Sequence, residues 1–382
     1  MIPDELFDQI PNAYTDRLAA INSKYLQRMA GRIGKIGRLS SADIHRLDQL
    51  RRYGSDYDEM VSELSTLTNK TKTNIRDLIQ AAAKNSYSDL EKIAVMQGKP
   101  LIPFAENVAL QRTVQAIAEQ TAGTFLNLSR TSVIGYSIQD ATGRMIFKGA
   151  DVAYRDAVDM AIQELSMGVT DFPAAMRQTL NSLADSGLRT VDYASGATRR
   201  LDSAVRMNIL DGVRDVYQGV QDQVGREIGT DGVEISAHGG CAPDHLPYQG
   251  RQYSKKEFNH IQDSLERPFG KWNCRHMWHA IILGVSRPAY SQQQLDDLRK
   301  MSEDTFEFDG KEYSQYEATQ LQRKIETAVR QSIDRANMAA AYGDHQTIVT
   351  EQLRTYRLTQ KYIDLSDAAG LPYKSERMTS EL

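Results

Sequence analysis

Cysteine is scarce: the 382-residue chain has two, Cys241 and Cys274. Two thiols cannot build a disulfide framework, which excludes the small stapled scaffolds of secreted proteins and fits a reducing compartment. Long apolar runs are missing as well. The longest, Ala280 to Val285, is six residues, far below the roughly 20 needed to cross a bilayer. Neither sign of charge dominates: 46 Lys and Arg face 50 Asp and Glu, a net −4. No whole-chain field therefore draws the protein to nucleic acid or to an anionic membrane. The opening MIPDELFDQI carries three acids and no base, unlike a secretory leader, so a soluble protein made in the cytoplasm is expected. Neither a glycine-rich phosphate cradle nor a serine elbow occurs, which removes the best-marked nucleotide-binding and hydrolase classes. There is no internal repeat and no low-complexity tract. What remains is an ordinary globular composition, long enough for two or three domains with an ample core.

Helical periodicity dominates the first 230 residues. Ser40-Ser41-Ala42-Asp43 sets a hydroxyl three residues before a carboxylate, a capping box ahead of a helix over Ile44 to Arg52. Residues 16–52 hold nine Lys and Arg against three Asp, a local +6. Such a stretch is a solvated helix face, or a contact for DNA phosphate or an acidic partner. Gly31, Gly34 and Gly37 interrupt it and predict a kink or a helix–loop–helix. Gln97 to Pro103 reads as a linker and Asn107 to Leu128 as a helix. Ile134 to Ile138 and Met145 to Lys148 read as a small hairpin, and Asp151 to Met167 and Pro173 to Asp185 as helices. The clearest helix is Leu201 to Val224, where Val205, Ile209, Val213, Val216, Val220 and Val224 draw one apolar stripe, a packing or partner seam.

Beyond Gly229 the texture changes. Val233 to Ser236 alternates like a half-buried strand, and Phe306 to Tyr313 reads as a hairpin turned at Asp309-Gly310. A last long helix runs from Ser314 to Ala341, and the polar tail Leu371 to Leu382 should fray. The expected fold class is mainly α. Long helices fill an N-terminal region (1–100) and a central one (101–230), a small α+β Cys/His-rich domain covers 231–310, and C-terminal helices cover 311–382.

Both cysteines and five of the seven histidines fall between positions 238 and 279. Zinc takes four nitrogen or sulfur donors in a tetrahedron, and thiolate with imidazole is a preferred set. Cys241 and His245, then Cys274 and His276, supply such a set from two short knuckles, and His238 competes for the fourth place. The spacing is not that of a zinc finger, and without metal the same residues would be polar packing that orders a loop-rich domain. Few apolar residues lie between Gly239 and Gly270, so a closed structural zinc site could stand in for a core, with Trp272 and Trp278 covering it. An enzymatic reading uses the same cluster: Asp244, His245, Asn273 and His276 can be written as a metal-dependent nuclease, or a Cys–His pair as a nucleophile. Nothing in the sequence fixes the geometry either scheme needs.

Three stretches resemble one known family. Thr190 to Arg206, reading TVDYASGATRRLDSAVR, leads into the long helix. His238 to Tyr253 and the WNCRH run ending at His276 form the second, and Tyr316 to Glu326, YEATQLQRKIE, the third. In this order they are similar to the phage minor capsid protein 2 family, related in role to portal-bound head-morphogenesis proteins of tailed phages. The resemblance covers roughly residues 170–340, places His238, His245, Cys274 and His276 in its motif positions, and leaves Cys241 outside them. It implies a structural virion protein rather than an enzyme, present in several copies at the portal vertex, touching portal and other head proteins. It would act in head assembly, DNA packaging or ejection, and occupy the host cytoplasm during assembly.

Overall fold

The computed structural model describes residues 4–38, 54–130, 133–140, 142–166, 172–192, 196–271 and 274–378. Helices α1 (Asp4–Ile36), α2 (Gly54–Met96) and α3 (Val108–Leu128) come first, and no strand occurs among the described residues of 1–130. The expected hairpin follows as β1 (Ile134–Gln139) and β2 (Met145–Gly149), then α4 (Ala150–Ser166) and α5 (Phe172–Ser186). Two three-residue strands, β3 (Arg189–Val191) and β4 (Thr198–Arg200), extend the hairpin to an antiparallel sheet of order β2-β1-β3-β4. The capping box at Ser40 and the helix over Ile44 to Arg52 lie outside the described residues.

Helix α6 (Leu201–Ile228) is the axis of the molecule. Its valine stripe is a packing seam: Val205, Ile209, Val213, Val216, Val220 and Val224 are all buried, in one cluster that also takes side chains from α1 to α5. Fully burying such a side chain contributes about 1.5–3 kcal/mol, so this stripe is a large share of what holds the bundle. Close approach of α3 is possible because position 212 is glycine; a Cβ there would lie 2.3 Å from the Thr121 hydroxyl. The helix stops at Gly229, whose φ of 80° no side chain adopts cheaply.

The glycines of α1 do not break it. The helix continues through Gly31 and Gly34 and ends at Ile36, so of the three glycines expected to interrupt it only Gly37 falls at a break. Gly31 and Gly34 mark the approach of a second helix: a Cβ at Gly34 would sit 2.7 Å from the Tyr342 carbonyl oxygen. The basic character of α1 also has an internal explanation. Lys24 pairs with Glu59 and Glu63, Arg28 with Glu59, and Arg32 with Asp56 at 2.6 Å, all on α2. These three cations pair with carboxylates of the neighbouring helix.

After α6 the chain forms a small unit. Strands β5 (Gly232–Ile235), β6 (Gln252–Ser254) and β7 (Trp278–Ile281) make an antiparallel sheet of order β6-β5-β7, with α7 (Lys255–Ser264) after β6. It has a core of its own, which corrects the expectation of a coreless stretch. Val233, Ile235, Phe258, Ile261, Phe269 and Cys274 pack together under Tyr248, Tyr253, Leu265 and Trp278. Phe258 and Ile261 share one face of α7, and that helix escaped the sequence reading because it is only ten residues long with two buried apolar positions.

The remainder is helical: α8 (Gln292–Glu303), the hairpin β8 (Thr305–Phe308) and β9 (Lys311–Ser314), then α9 (Gln315–Tyr342) and α10 (His345–Ala369). Helix α10 falls within the expected C-terminal helical region, although the sequence reading gave it no bounds of its own. It doubles back on α9 after Gly343, and Ser332 donates to Glu351 and Gln322 to Ser366 between them. The tail is anchored as far as Met378, which is buried, and the Lys374 amide donates to the Tyr362 hydroxyl at 3.1 Å. Fraying is thus corrected up to that residue. Among the described residues no helix is long and apolar enough to cross a membrane.

Candidate metal centre

The sheet β6-β5-β7 brings the two knuckles together. His238, Cys241, His245 and Gln249 lie on the loop from β5 to β6, and Cys274 and His276 lie just before β7. Pairing of β5 with β7 sets Ile235 opposite Trp278. One step further, the Ser236 amide donates to the Met277 carbonyl (2.8 Å) and the Met277 amide to the Ser236 hydroxyl (2.9 Å). The two knuckles are therefore held side by side by backbone pairing.

Three of the five expected donors converge. A ligand atom from each of His245, Cys274 and His276 lies within 4.8 Å of the other two, and all three residues are buried. The Cys274 sulfur is 3.5 Å from His245 Nδ1 and 3.4 Å from His276 Nδ1. The far nitrogens are both engaged. His245 Nε2 lies 2.8 Å from the Arg267 carbonyl, which can only accept, so this nitrogen carries the proton. His276 Nε2 lies 3.0 Å from Gln249 Oε1, and that oxygen already accepts from the His238 amide at 3.1 Å. The glutamine orientation is thereby fixed, and His276 Nε2 must also be the donor. Both Nδ1 lone pairs then point at the sulfur.

Proton count decides what the arrangement can hold. One thiol proton cannot satisfy two imidazole lone pairs. The molecule's own answer is a shared proton. Burial opposes charge on His245, but the hydrogen bond and charge of Cys274 outweigh it and raise its pKa. Burial likewise opposes a Cys274 thiolate, and His245 overcomes that to lower the thiol pKa. His276, driven well down by burial and by the neighbouring His238 and His245, stays neutral and keeps its lone pair. A soft or borderline cation would satisfy all three atoms at once. Metal-binding histidines usually donate their outer nitrogen to a carbonyl, carboxylate or amide oxygen, which fixes the tautomer and orients the ring. The residues present fit a zinc ion.

The other two candidates stand apart from the converging atoms. The His238 ring stacks on His276 with centroids 4.4 Å apart, and its Nδ1 faces the Gly239 carbonyl at 3.1 Å. Cys241 is buried, and burial pushes its thiol up to about 11, the opposite of what metal binding asks. Two residues escaped the sequence reading. Gln249 fixes one tautomer, and Phe269 packs against both imidazoles, its ring 4.4 Å from His245 and 5.1 Å from His276. Neither carries a metal-ligand signal, and only the fold reveals them. Trp278 packs on Phe258 rather than over the donors; Trp272 and Asn273 lie outside the described residues.

A second polar chain ties this unit to the bundle. Tyr217 of α6 donates to Asp89 of α2 (2.9 Å), and His279 of β7 meets the same hydroxyl through Nδ1 at 2.8 Å. Gln221 accepts from the Ala280 amide at 2.9 Å.

No curated protein and no solved structure matches this chain. A family does: residues 2–365 match phage minor capsid protein 2. That span takes in the helical bundle, the Cys/His unit and nearly all of α10, and the chain belongs to the phage minor capsid protein 2 family.

Proposed function

We propose that this phage minor capsid protein works at the portal vertex of a tailed-phage head, in few copies, as a structural element of head assembly, and that His245, Cys274 and His276 hold a structural zinc ion. The observation that carries the first part is the family match over residues 2–365; a minor component suits a unique vertex better than the shell. The second part rests on the two Nδ1 lone pairs facing one sulfur, with both outer nitrogens already bonded. Imidazoles held in this way are poor proton shuttles and good ligands. Bound zinc would tie the β5–β6 loop to the entry of β7. Of the two candidates for the remaining coordination position, His238 is preferred, because it already packs on His276 while the Cys241 thiol is held protonated.

Metal content tests the site. The purified protein should carry about one zinc per chain, and Cys274→Ser should lose it and lower Tm by at least about 5 °C. His238→Ala should weaken zinc retention more than Cys241→Ala does. A zinc-free protein whose melting is indifferent to chelator and to Cys274→Ser would reduce the cluster to polar packing. The enzymatic reading has its own arm: plasmid cleavage with magnesium, manganese or zinc that His245→Ala and His276→Ala both abolish would replace the structural assignment. For the vertex role, co-sedimentation with portal protein from the same phage is expected, and a failure to associate in either order of mixing would count against it.

A further inference from the structure

Helix α10 packs on α9 and on β8 through one side, where Glu351, Tyr362, Leu365 and Ser366 are buried. Its outer side is apolar where solvent favours charge. Val349, Leu353 and Tyr356 stand 56%, 53% and 70% exposed. With their neighbours on the same side they form the series Gln346, Val349, Leu353, Tyr356, Gln360 and Ile363, spaced 3, 4, 3, 4, 3. This is the a/d spacing of a coiled coil, with Gln346, Leu353 and Gln360 at a and Val349, Tyr356 and Ile363 at d. A helix that packs only on its own molecule needs one apolar stripe, and α10 has a second.

The residues along this face match a second copy of the same chain. No member of the series from Gln346 to Ile363 carries a formal charge, so copies meeting along it bring no like charges together. The next place in the series is Asp367, which accepts from the Tyr373 hydroxyl within the chain and ends the seam. The polar members are amides. A glutamine side chain both donates and accepts, so it satisfies its own counterpart, which a lysine or a glutamate cannot do. A polar residue at a also fixes register. The flanks agree. In a parallel pair in register, Gln352 faces Arg357 of the second copy and Thr359 faces Asp364, so a neutral polar group meets each charge. The stripe is about 27 Å long and roughly 10 Å wide. That footprint of about 300 Å² compares with roughly 800 Å² a side in a stable interface. Pairing through it is therefore reversible and grows with local concentration.

We propose that two copies of this protein pair in parallel and in register along the face of α10 that runs from Gln346 to Ile363. Val349, Leu353 and Tyr356 leave solvent together, and Gln346 and Gln360 each bond their own counterpart. The pairing depends neither on the metal site nor on where in the particle the copies sit.

The test is sedimentation velocity of the full chain over a concentration series. The parent should pass from monomer to dimer as concentration rises. Leu353→Glu, at a half-exposed side chain, should raise the dimer Kd at least tenfold with helix content unchanged. Gln360→Lys, at an exposed polar position, should do the same, and it carries the comparison if Leu353→Glu misfolds. Val95→Glu, at an exposed apolar residue of α2, should change nothing. Register is read by oxidising Gln346→Cys and Gln360→Cys separately with copper phenanthroline, against the parent, whose own two cysteines are buried. Both variants should form interchain disulfides, because a parallel pair in register brings each position to its own counterpart, whereas the two-fold axis of an antiparallel pair can pass only one of them. A parent that stays monomeric at every concentration, a dimer indifferent to Leu353→Glu and Gln360→Lys, or equal dissociation by Val95→Glu would overturn the proposal. So would crosslinking at one position only, or at neither.

Discussion

His279 shows how one buried polar chain sets a pH limit. Tyr217 has a single hydroxyl proton and gives it to Asp89, so His279 donates from Nδ1 to the tyrosine oxygen. Its Nε2 is buried with no hydrogen-bond partner. A second proton there would be stranded, and burial accordingly depresses the pKa to about 4. The unfolded chain protonates the same imidazole near 6.5. Between pH 6.5 and 4 the unfolded state therefore binds more protons, and stability falls as pH falls through that window. The size is about 3 kcal/mol at most. Denaturant melts of His279→Gln from pH 7.5 to 4.5 should show a shallower loss than the parent; parallel curves would sink the idea. At this scale the sequence marked the candidate Cys/His cluster by the crowding of its cysteines and histidines. Five residues were named, and the fold brings three of them together. Cys274 and Cys241 have the same side chain, and only neighbours distinguish them: His245 facing one, apolar burial raising the other.

Among the elements, the two glycines of α1 give the cleanest pair of expectations. Gly34 lies against the backbone of Tyr342, where an added Cβ has no room, and Gly31 has ordinary contact distances, 3.7 Å to the nearest atom. Gly34→Ala should cost about 1–3 kcal/mol by forcing α1 and α9 apart, whereas Gly31→Ala should gain up to about 1 kcal/mol from helix propensity. Equal effects at the two sites, measured by urea unfolding, would show that α9 is not seated as described. Helices α3 to α6 and α9 were legible because their apolar positions repeat with the period of the buried face. The bounds of α10 were not, although its region was expected to be helical, since Val349, Leu353 and Tyr356 sit on its exposed side and its buried residues include Glu351 and Ser366. Strands β3 and β4 are too short to show a pattern. A local signal for α7 and α8 was nevertheless present. Ser254 with Glu257 and Ser291 with Gln294 form capping boxes of the same kind as Ser314 with Glu317 at α9.

Across the whole molecule, three buried clusters follow one another along the chain: the bundle around α6, the Cys/His unit, and the α9–α10 hairpin with its tail. The first absorbs both N-terminal regions and also takes Met338 from α9, so a bundle stripped of its C-terminal helices would expose core. Long-range pairs such as Asn22 with Asp334 and Arg330 with Asp202 close this arrangement. Such contacts link residues more than a hundred positions apart, and no local pattern in a single sequence encodes them. The family, by contrast, was legible, because its blocks lie on the entry to α6, on the Cys/His unit and on the start of α9. What the family leaves open is the place of the protein in the particle. Quantitative mass spectrometry of purified virions, with portal and major coat proteins as internal standards, measures that directly. The account predicts that the chain is present at a copy number close to that of the portal; absence from mature particles, or abundance close to that of the coat protein, would contradict it.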